Sequence, residues 1–317
     1  MVAVGAVAAV DCGTNSTRLL VSGPDGATLE RRMVITRLGR GVDEARRLAG
    51  DAMARTVDVL AQFKVVAGHH GAARVRAVAT SAVRDAANGG EFLDRAAAAL
   101  GVRPELLTGQ EEGALSYRGA TSGLDPADGP FLVLDVGGGS TELVLGGPPP
   151  WGPVAVSIDV GCVRVTERFL ASDPPTPSEL STGRSTLRHL LLTAAHQLDE
   201  LAQNSGLAGA AAARRLVGLA GTVSTAAVLD AGADAYSREI VHHRVLGRDR
   251  VQALLERLAG MDHVSRLLVP GLERERADVI VGGLLVLVTV MEQFGFDDLL
   301  ASEADILDGI VIGLLQQ

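Results

Sequence analysis

Two stretches of this chain set an acid, a glycine-rich turn and hydroxyl side chains in the same order. Asp11-Cys-Gly-Thr-Asn-Ser-Thr-Arg-Leu-Leu-Val-Ser-Gly-Pro24 aligns without gaps on Asp135-Val-Gly-Gly-Gly-Ser-Thr-Glu-Leu-Val-Leu-Gly-Gly-Pro148, with seven of fourteen positions identical at an offset of 124. A glycine-rich turn presents successive backbone N–H groups with no side chain in the way, an anion-binding nest suited to phosphate. The acid beside it repels phosphate unless a cation lies between them. Asp, nest and hydroxyl together therefore point to phosphate bound with Mg²⁺ or another divalent cation. The candidate phosphate contacts are Gly13, Thr14, Asn15 and Ser16 in the first turn, and Gly137, Gly138, Gly139, Ser140 and Thr141 in the second. Neither turn is followed by Gly-Lys-Ser/Thr, and the next element reads as a strand. This excludes a Walker-type loop and a helix-opening dinucleotide fingerprint.

The elements around the turns read as strands. Each copy follows an apolar run (Val4–Val10, Phe131–Leu134) and leads into another (Leu19–Val21, Leu143–Leu145). The offset is far longer than a solenoid repeat and matches the length of a domain. Two related domains are expected, 1–128 and 129–317, with the hinge in the Pro-, Gly- and Asp-containing stretch Leu124–Pro130. In the first half, Asp51–Val66 reads as an amphipathic helix, Arg74–Ala79 as a strand and Glu91–Leu100 as a helix. Thr108-Gly-Gln-Glu111 has the spacing of a capping box, which gives Glu111 a structural role and leaves Glu112 pointing elsewhere. The second half gives strands near 131–135, 141–146 and 154–159. Arg215–Ala220 reads as a buried strand, and Gly221-Thr222 opens a helix. There Thr222 is either a phosphate contact or a plain N-cap. Strands alternating with helices throughout make this an α/β protein.

Composition narrows the function. At 317 residues, 47% hydrophobic and 21% charged, the chain has an ordinary globular mix. The longest apolar run, Val279–Met291, is too short for a membrane span and reads as a buried helix. The apolar start lacks a basic flank and runs into Asp11, so a cytoplasmic location and no membrane are expected. The net charge of −9 falls entirely on residues 129–317, while 1–128 are neutral. An acidic total argues against DNA binding, although Arg31, Arg32, Arg37, Arg40, Arg46 and Arg47 crowd one segment that could line a polyanion path. Cys12 and Cys162 form no metal-type or redox-type pair. The adjacent histidines His69–His70 and His242–His243 lack metal-ligand spacing.

With these motifs assembled, the chain resembles the exopolyphosphatase/guanosine pentaphosphate phosphatase family of the actin-like, sugar-kinase-like superfamily. The resemblance rests on eight segments in order: 11–18, Thr80-Ser-Ala-Val-Arg84-Asp-Ala, 108–112, 135–142, Gly161-Cys-Val-Arg164, Gly218-Leu-Ala-Gly-Thr222, Glu275-Arg276-Ala-Asp278 and Ser302-Glu-Ala-Asp305-Ile-Leu-Asp-Gly309. It implies an α/β fold of two actin-like, ribonuclease H-like domains around an inter-domain cleft, in the short two-domain form, with the last helix packed back on the first domain. It further implies hydrolysis of a terminal phosphoanhydride. Glu112 would activate water, Arg18 and Arg84 would neutralise developing charge, and Asp11, Asp135 and Glu142 would hold Mg²⁺. The turns, with Gly221 and Thr222, would grip phosphates. The implied substrate is inorganic polyphosphate or guanosine pentaphosphate, the implied assembly a homodimer. A low-turnover sensor of either substrate is the reading from another class. The sequence departs from the family pattern at Thr14 (usually Ser), at Gly113 (usually Ala), at His242-His243 (commonly His-Gly) and at Leu307-Asp308, where an arginine is often found.

Overall fold

The computed structural model describes residues 5–147 and 152–317. Val4, the start of the first apolar run, and Pro148, the last position of the internal match, lie outside them. The chain divides into two compact units, residues 1–119 with 306–317 and residues 120–305. The division at 119/120 falls inside the helix Gly109–Thr121, ahead of the Leu124–Pro130 stretch.

Unit 1 is built on a five-stranded sheet: β1 (Val7–Cys12), β2 (Ser16–Ser22), β3 (Thr28–Ile35), β4 (Arg74–Ala79) and β5 (Glu105–Leu106) in the order β3-β2-β1-β4-β5. β1 and β2 are antiparallel, and β1 runs parallel to β4. Both faces of β1 are covered, which is why it reads as an unbroken apolar run. Side chains alternate across the sheet. Ala8, Val10 and Cys12 pack with Leu60 and Phe63 of the helix Gly50–His69 and with Phe92 and Ala96 of the helix Gly89–Leu100. Val7 and Ala9 pack on the other face with Ile306, Leu307, Ile310 and Leu314 of the helix Ile306–Leu315, the last of the chain.

Unit 2 repeats the plan. Its strands are β6 (Phe131–Val136), β7 (Thr141–Gly146), β8 (Val154–Ile158), β9 (Arg215–Leu219), β10 (Val245–Gly247) and β11 (Asp298–Ala301), in the order β10-β11-β9-β6-β7-β8. β6-β7-β8 is an antiparallel meander, and β6 is parallel to β9, so β6, β7, β8 and β9 stand where β1, β2, β3 and β4 stand in unit 1. The internal match in sequence is thus a repeat of topology. Ile280–Phe294 is a helix buried from Ile280 to Met291 at the centre of this unit's core. No described helix is long and apolar enough to cross a membrane.

Candidate active site

Both glycine turns close alike. Gly13 N–H donates to the Ser16 carbonyl at 3.0 Å, and Gly137 N–H donates to the Ser140 carbonyl at 3.0 Å. A side chain on Gly13 would meet the Ser16 carbonyl oxygen at 2.9 Å, and one on Gly137 would meet that of Ser140 at 3.1 Å. At Gly13 that contact excludes a Cβ unless the backbone shifts, and at Gly137 the carbonyl would have to yield by a few tenths of an ångström.

Surrounding backbone holds each turn in place. In unit 1 the Thr14 carbonyl accepts from Gly39 N–H at 2.8 Å, and the Asn15 carbonyl accepts from Thr36 and Arg37. Thr14 Oγ1 bonds Ser81 Oγ at 2.9 Å, tying the turn to the segment that follows β4. Asn15 Nδ2 is buried with no hydrogen-bond partner among the described residues. A buried amide donor is expensive to leave unanswered, and here it sits in a turn shaped for an anion. In unit 2 the Gly137 and Gly138 carbonyls accept from the first amides of the helix Cys162–Phe169, Cys162 N–H and Val163 N–H, both at 2.9 Å. Gly161 lets that helix approach, because a Cβ there would sit 2.5 Å from the Gly138 carbonyl.

The turns differ in the charge beside them. On unit 1, Asp11 lies directly across the ladder from Arg18. The guanidinium donates from Nε (3.0 Å) and Nη2 (2.7 Å) to Asp11 Oδ2, and Asp11 is only 3% exposed. On unit 2 the same ladder position sets Asp135 directly across from Glu142. Both are buried, Glu142 at 1% exposure, and Ser157 Oγ donates to Glu142 Oε1 at 2.8 Å. Like charges directly opposed on a sheet destabilise it, so this pair suits a cation between them. An all-oxygen set of one or two carboxylates, completed by water and phosphate, fits Mg²⁺. No cluster of three or more His, Cys, Asp or Glu with metal-holding geometry occurs among the described residues.

The Thr108–Glu111 capping box is present. Glu111 accepts from Thr108 N–H and Oγ1, both at 2.8 Å, and Thr108 Oγ1 accepts from Glu111 N–H at 3.2 Å. The Thr108 backbone and hydroxyl bonds hold the Glu111 carboxyl below its ordinary value. Glu112 turns inward on the next position and is buried. Arg84, on the short helix Ser81–Asp85, donates from Nη1 to the Leu107 carbonyl at 2.8 Å and lies 3.7 Å from Glu112 Oε2.

Thr222 is not the N-cap. The helix Ala220–Asp230 is capped by Leu219 without a side-chain bond. Thr222 is buried, and a Cβ on Gly283 would lie 2.3 Å from its Oγ1. Gly221 is covered by Arg276, whose guanidinium would lie 1.8 Å from any Cβ placed there. Arg276 is itself buried and donates to Glu273 Oε2 at 2.5 Å. Its charge also reaches Cys162, whose thiol burial pushes up to about 11 against the opposing pull of that guanidinium. Arg276 was absent from the expected site residues, although its segment carried part of the family resemblance. A cation over a helix-opening glycine became visible only once Gly221 and Arg276 were brought into contact. Arg164, at the third position of its helix, is buried and lies 3.3 Å from the exposed Asp159.

A model of the Ppx/GppA phosphatase family matches residues 22–317. Exopolyphosphatase 2 of Mycobacterium tuberculosis is 42% identical over 327 residues, covering 97% of this chain and 98% of that protein. A guanosine-5'-triphosphate,3'-diphosphate pyrophosphatase of Vibrio cholerae is 31% identical over 316 residues, 98% of this chain and 59% of that longer protein. The crystal structure of the Aquifex aeolicus Ppx/GppA family member matches with a TM-score of 0.79 at 30% identity, over 98% of each chain.

Proposed function

Because this chain belongs to the Ppx/GppA phosphatase family, we propose that it is an exopolyphosphatase, which hydrolyses the terminal phosphoanhydride of inorganic polyphosphate and releases orthophosphate. The observation that carries the reading is Glu112, a buried carboxylate one residue past a completed capping box with a guanidinium 3.7 Å away. The helix start is already capped by Glu111, so Glu112 is not needed there.

In this mechanism Glu112 takes a proton from water as the water oxygen bonds to the terminal phosphorus. The bridging P–O bond breaks, and its electron pair leaves on the shortened chain. Phosphoryl transfer asks chiefly for positioning and charge neutralisation. The amides of Thr14 and Asn15 and of residues 138–140, beyond the Gly13 and Gly137 amides that close the turns, and the buried Asn15 Nδ2 would supply donors to phosphate oxygens. Arg84, 3.7 Å from Glu112 Oε2, would add positive charge beside it, and Arg276 would do so over Gly221. Asp135 and Glu142 would hold Mg²⁺, which when bound neutralises charge on the phosphate oxygens. Asp11 is engaged by Arg18 and would contribute to metal binding less directly than Asp135 and Glu142.

The 31% identical Vibrio relative favours one second reading, guanosine pentaphosphate 5'-phosphohydrolase, which uses the same terminal-phosphate chemistry. Phosphate release from long polyphosphate, short polyphosphate and guanosine pentaphosphate, measured with and without Mg²⁺, decides between them. Fast Mg²⁺-dependent release from polyphosphate, lost in Glu112→Ala, is the expected result. Preference for the nucleotide would replace the first reading by the second, and tight binding without release would make the protein a sensor.

A further inference from the structure

The polar row on the unit 2 sheet does not end at the carboxylate pair. β6, β7 and β8 set Asp135, Glu142 and Ser157 directly opposite one another, one from each strand. Residues two apart on a strand share a face, so the next row on that face is Val133, Val144 and Ala155, all buried. Apolar packing therefore backs the polar row, and within the row Ser157 Oγ donates to Glu142 Oε1 at 2.8 Å.

Unit 1 fills the equivalent row differently. There Asp11, Arg18 and Met33 are opposed. Arginine answers the acid from the second strand, and the methionine on the third has no N–H or O–H to donate from its side chain. In unit 2 the second strand carries another acid, and the third carries a donor without charge. A hydroxyl fixes the orientation of a carboxylate and leaves its net charge for a cation. A lysine or arginine in the same place would cancel that charge. We propose that Ser157 is a positioning residue for the divalent cation site: by fastening Oε1 it sets the plane of the Glu142 carboxylate, and so the direction in which the group meets an ion shared with Asp135. This rests on the reading of Asp135 and Glu142 as the ligands of that ion. Without the serine the carboxylate would have to be ordered as the ion binds, and outer partners that hold a ligand in place are typically worth roughly 10–100-fold in metal affinity.

Calorimetric titration of the metal-free full chain with Mn²⁺ tests this, with thermal midpoints and the EPR spectrum of the bound Mn²⁺ read alongside. Ser157→Ala is expected to weaken Mn²⁺ binding by roughly tenfold and to alter the spectrum at saturating Mn²⁺. Ser157→Thr keeps the hydroxyl and is expected to restore both. Glu142→Gln separates the two readings. If Glu142→Gln loses the metal and Ser157→Ala binds it as the wild type does, the proposal falls and the ligand assignment stands. If neither variant loses it, both fall. A lower thermal midpoint in Ser157→Ala with unchanged affinity assigns the serine to the fold alone and overturns the proposal. Equal losses in Ser157→Ala and Ser157→Thr do the same, since the hydroxyl would then not be what matters. Should Ser157→Ala not fold, Ser157→Cys, similar in size and only a weak donor, takes its place with the same expected loss.

Discussion

At the scale of single residues, the two hairpins separate two jobs that their sequence likeness had joined. Arg18 and Glu142 occupy the same ladder position, but one makes an internal ion pair and the other a doubled negative charge. Metal affinity should therefore depend on unit 2 far more than on Asp11. Calorimetric titration with Mg²⁺ or Mn²⁺ is expected to show at least a tenfold loss for Glu142→Gln and Asp135→Asn. Asp11→Asn should instead lower stability by about 1–3 kcal/mol by removing the carboxylate charge that the Arg18 guanidinium faces in a buried pair, with metal affinity nearly kept. Equal losses at all three would return Asp11 to direct ligation. For Glu112→Gln, a general base removed from proton transfer predicts turnover lower by roughly 10²–10⁴-fold with KM little changed. A variant with wild-type kcat would remove Glu112 from the mechanism.

At the scale of elements, caps and close approaches do the positioning. The 28-residue helix Pro177–Asn204 starts on a capping box in which Thr176 N–H donates to Glu179 Oε2 at 2.7 Å. That backbone bond, followed by hydroxyl and Ser172 contacts, holds the Glu179 carboxyl down at about 2 against an ordinary 4.5. A depressed carboxyl stabilises the fold fully above its unfolded value and loses that contribution as pH falls through its folded value. The thermal midpoints of wild type and Glu179→Gln should thus differ at pH 6 and converge between pH 4.5 and about 2. A gap that stays constant across that window would assign the difference to something other than this ionisation. Asn88 shows an element-scale role that local pattern does not reveal. Its side chain accepts from Leu48 N–H at 2.8 Å and donates to the Leu48 carbonyl at 3.1 Å, pinning the segment that carries Arg46 and Arg47.

At the scale of the whole molecule, the end of the chain completes its beginning. The helix Ile306–Leu315 covers the face of β1 that the other unit 1 helices leave open. It crosses the helix bearing Glu112 so closely that a Cβ on Gly309 would lie 2.0 Å from the Leu115 carbonyl oxygen. That oxygen belongs to backbone and cannot swing aside. Gly309→Ala is expected to cost about 1–3 kcal/mol by overpacking and to reduce kcat more than KM, since Leu115 lies one turn beyond Glu112. Thermal melts and steady-state phosphate release read the two effects. Unaltered values in both would show that the helices can part at no cost.

The sequence by itself determined the features that are local or repeated. The acid–glycine turns, the buried central strands, the Thr108–Glu111 cap and the helix within Val279–Met291 follow from turn sterics, strand alternation and hydrophobic runs that neighbouring residues carry among themselves. β3 was not legible, because a half-exposed edge strand needs no apolar alternation. Only the tertiary structure decided which distant charges meet. Hairpin register sets Arg18 opposite Asp11 and Asp135 opposite Glu142, whereas packing alone brings Arg276 over Gly221 and Asp308 to Arg31. Coulomb energy depends on distance in space, and residues far apart in sequence acquire such distances only when strands and helices pack.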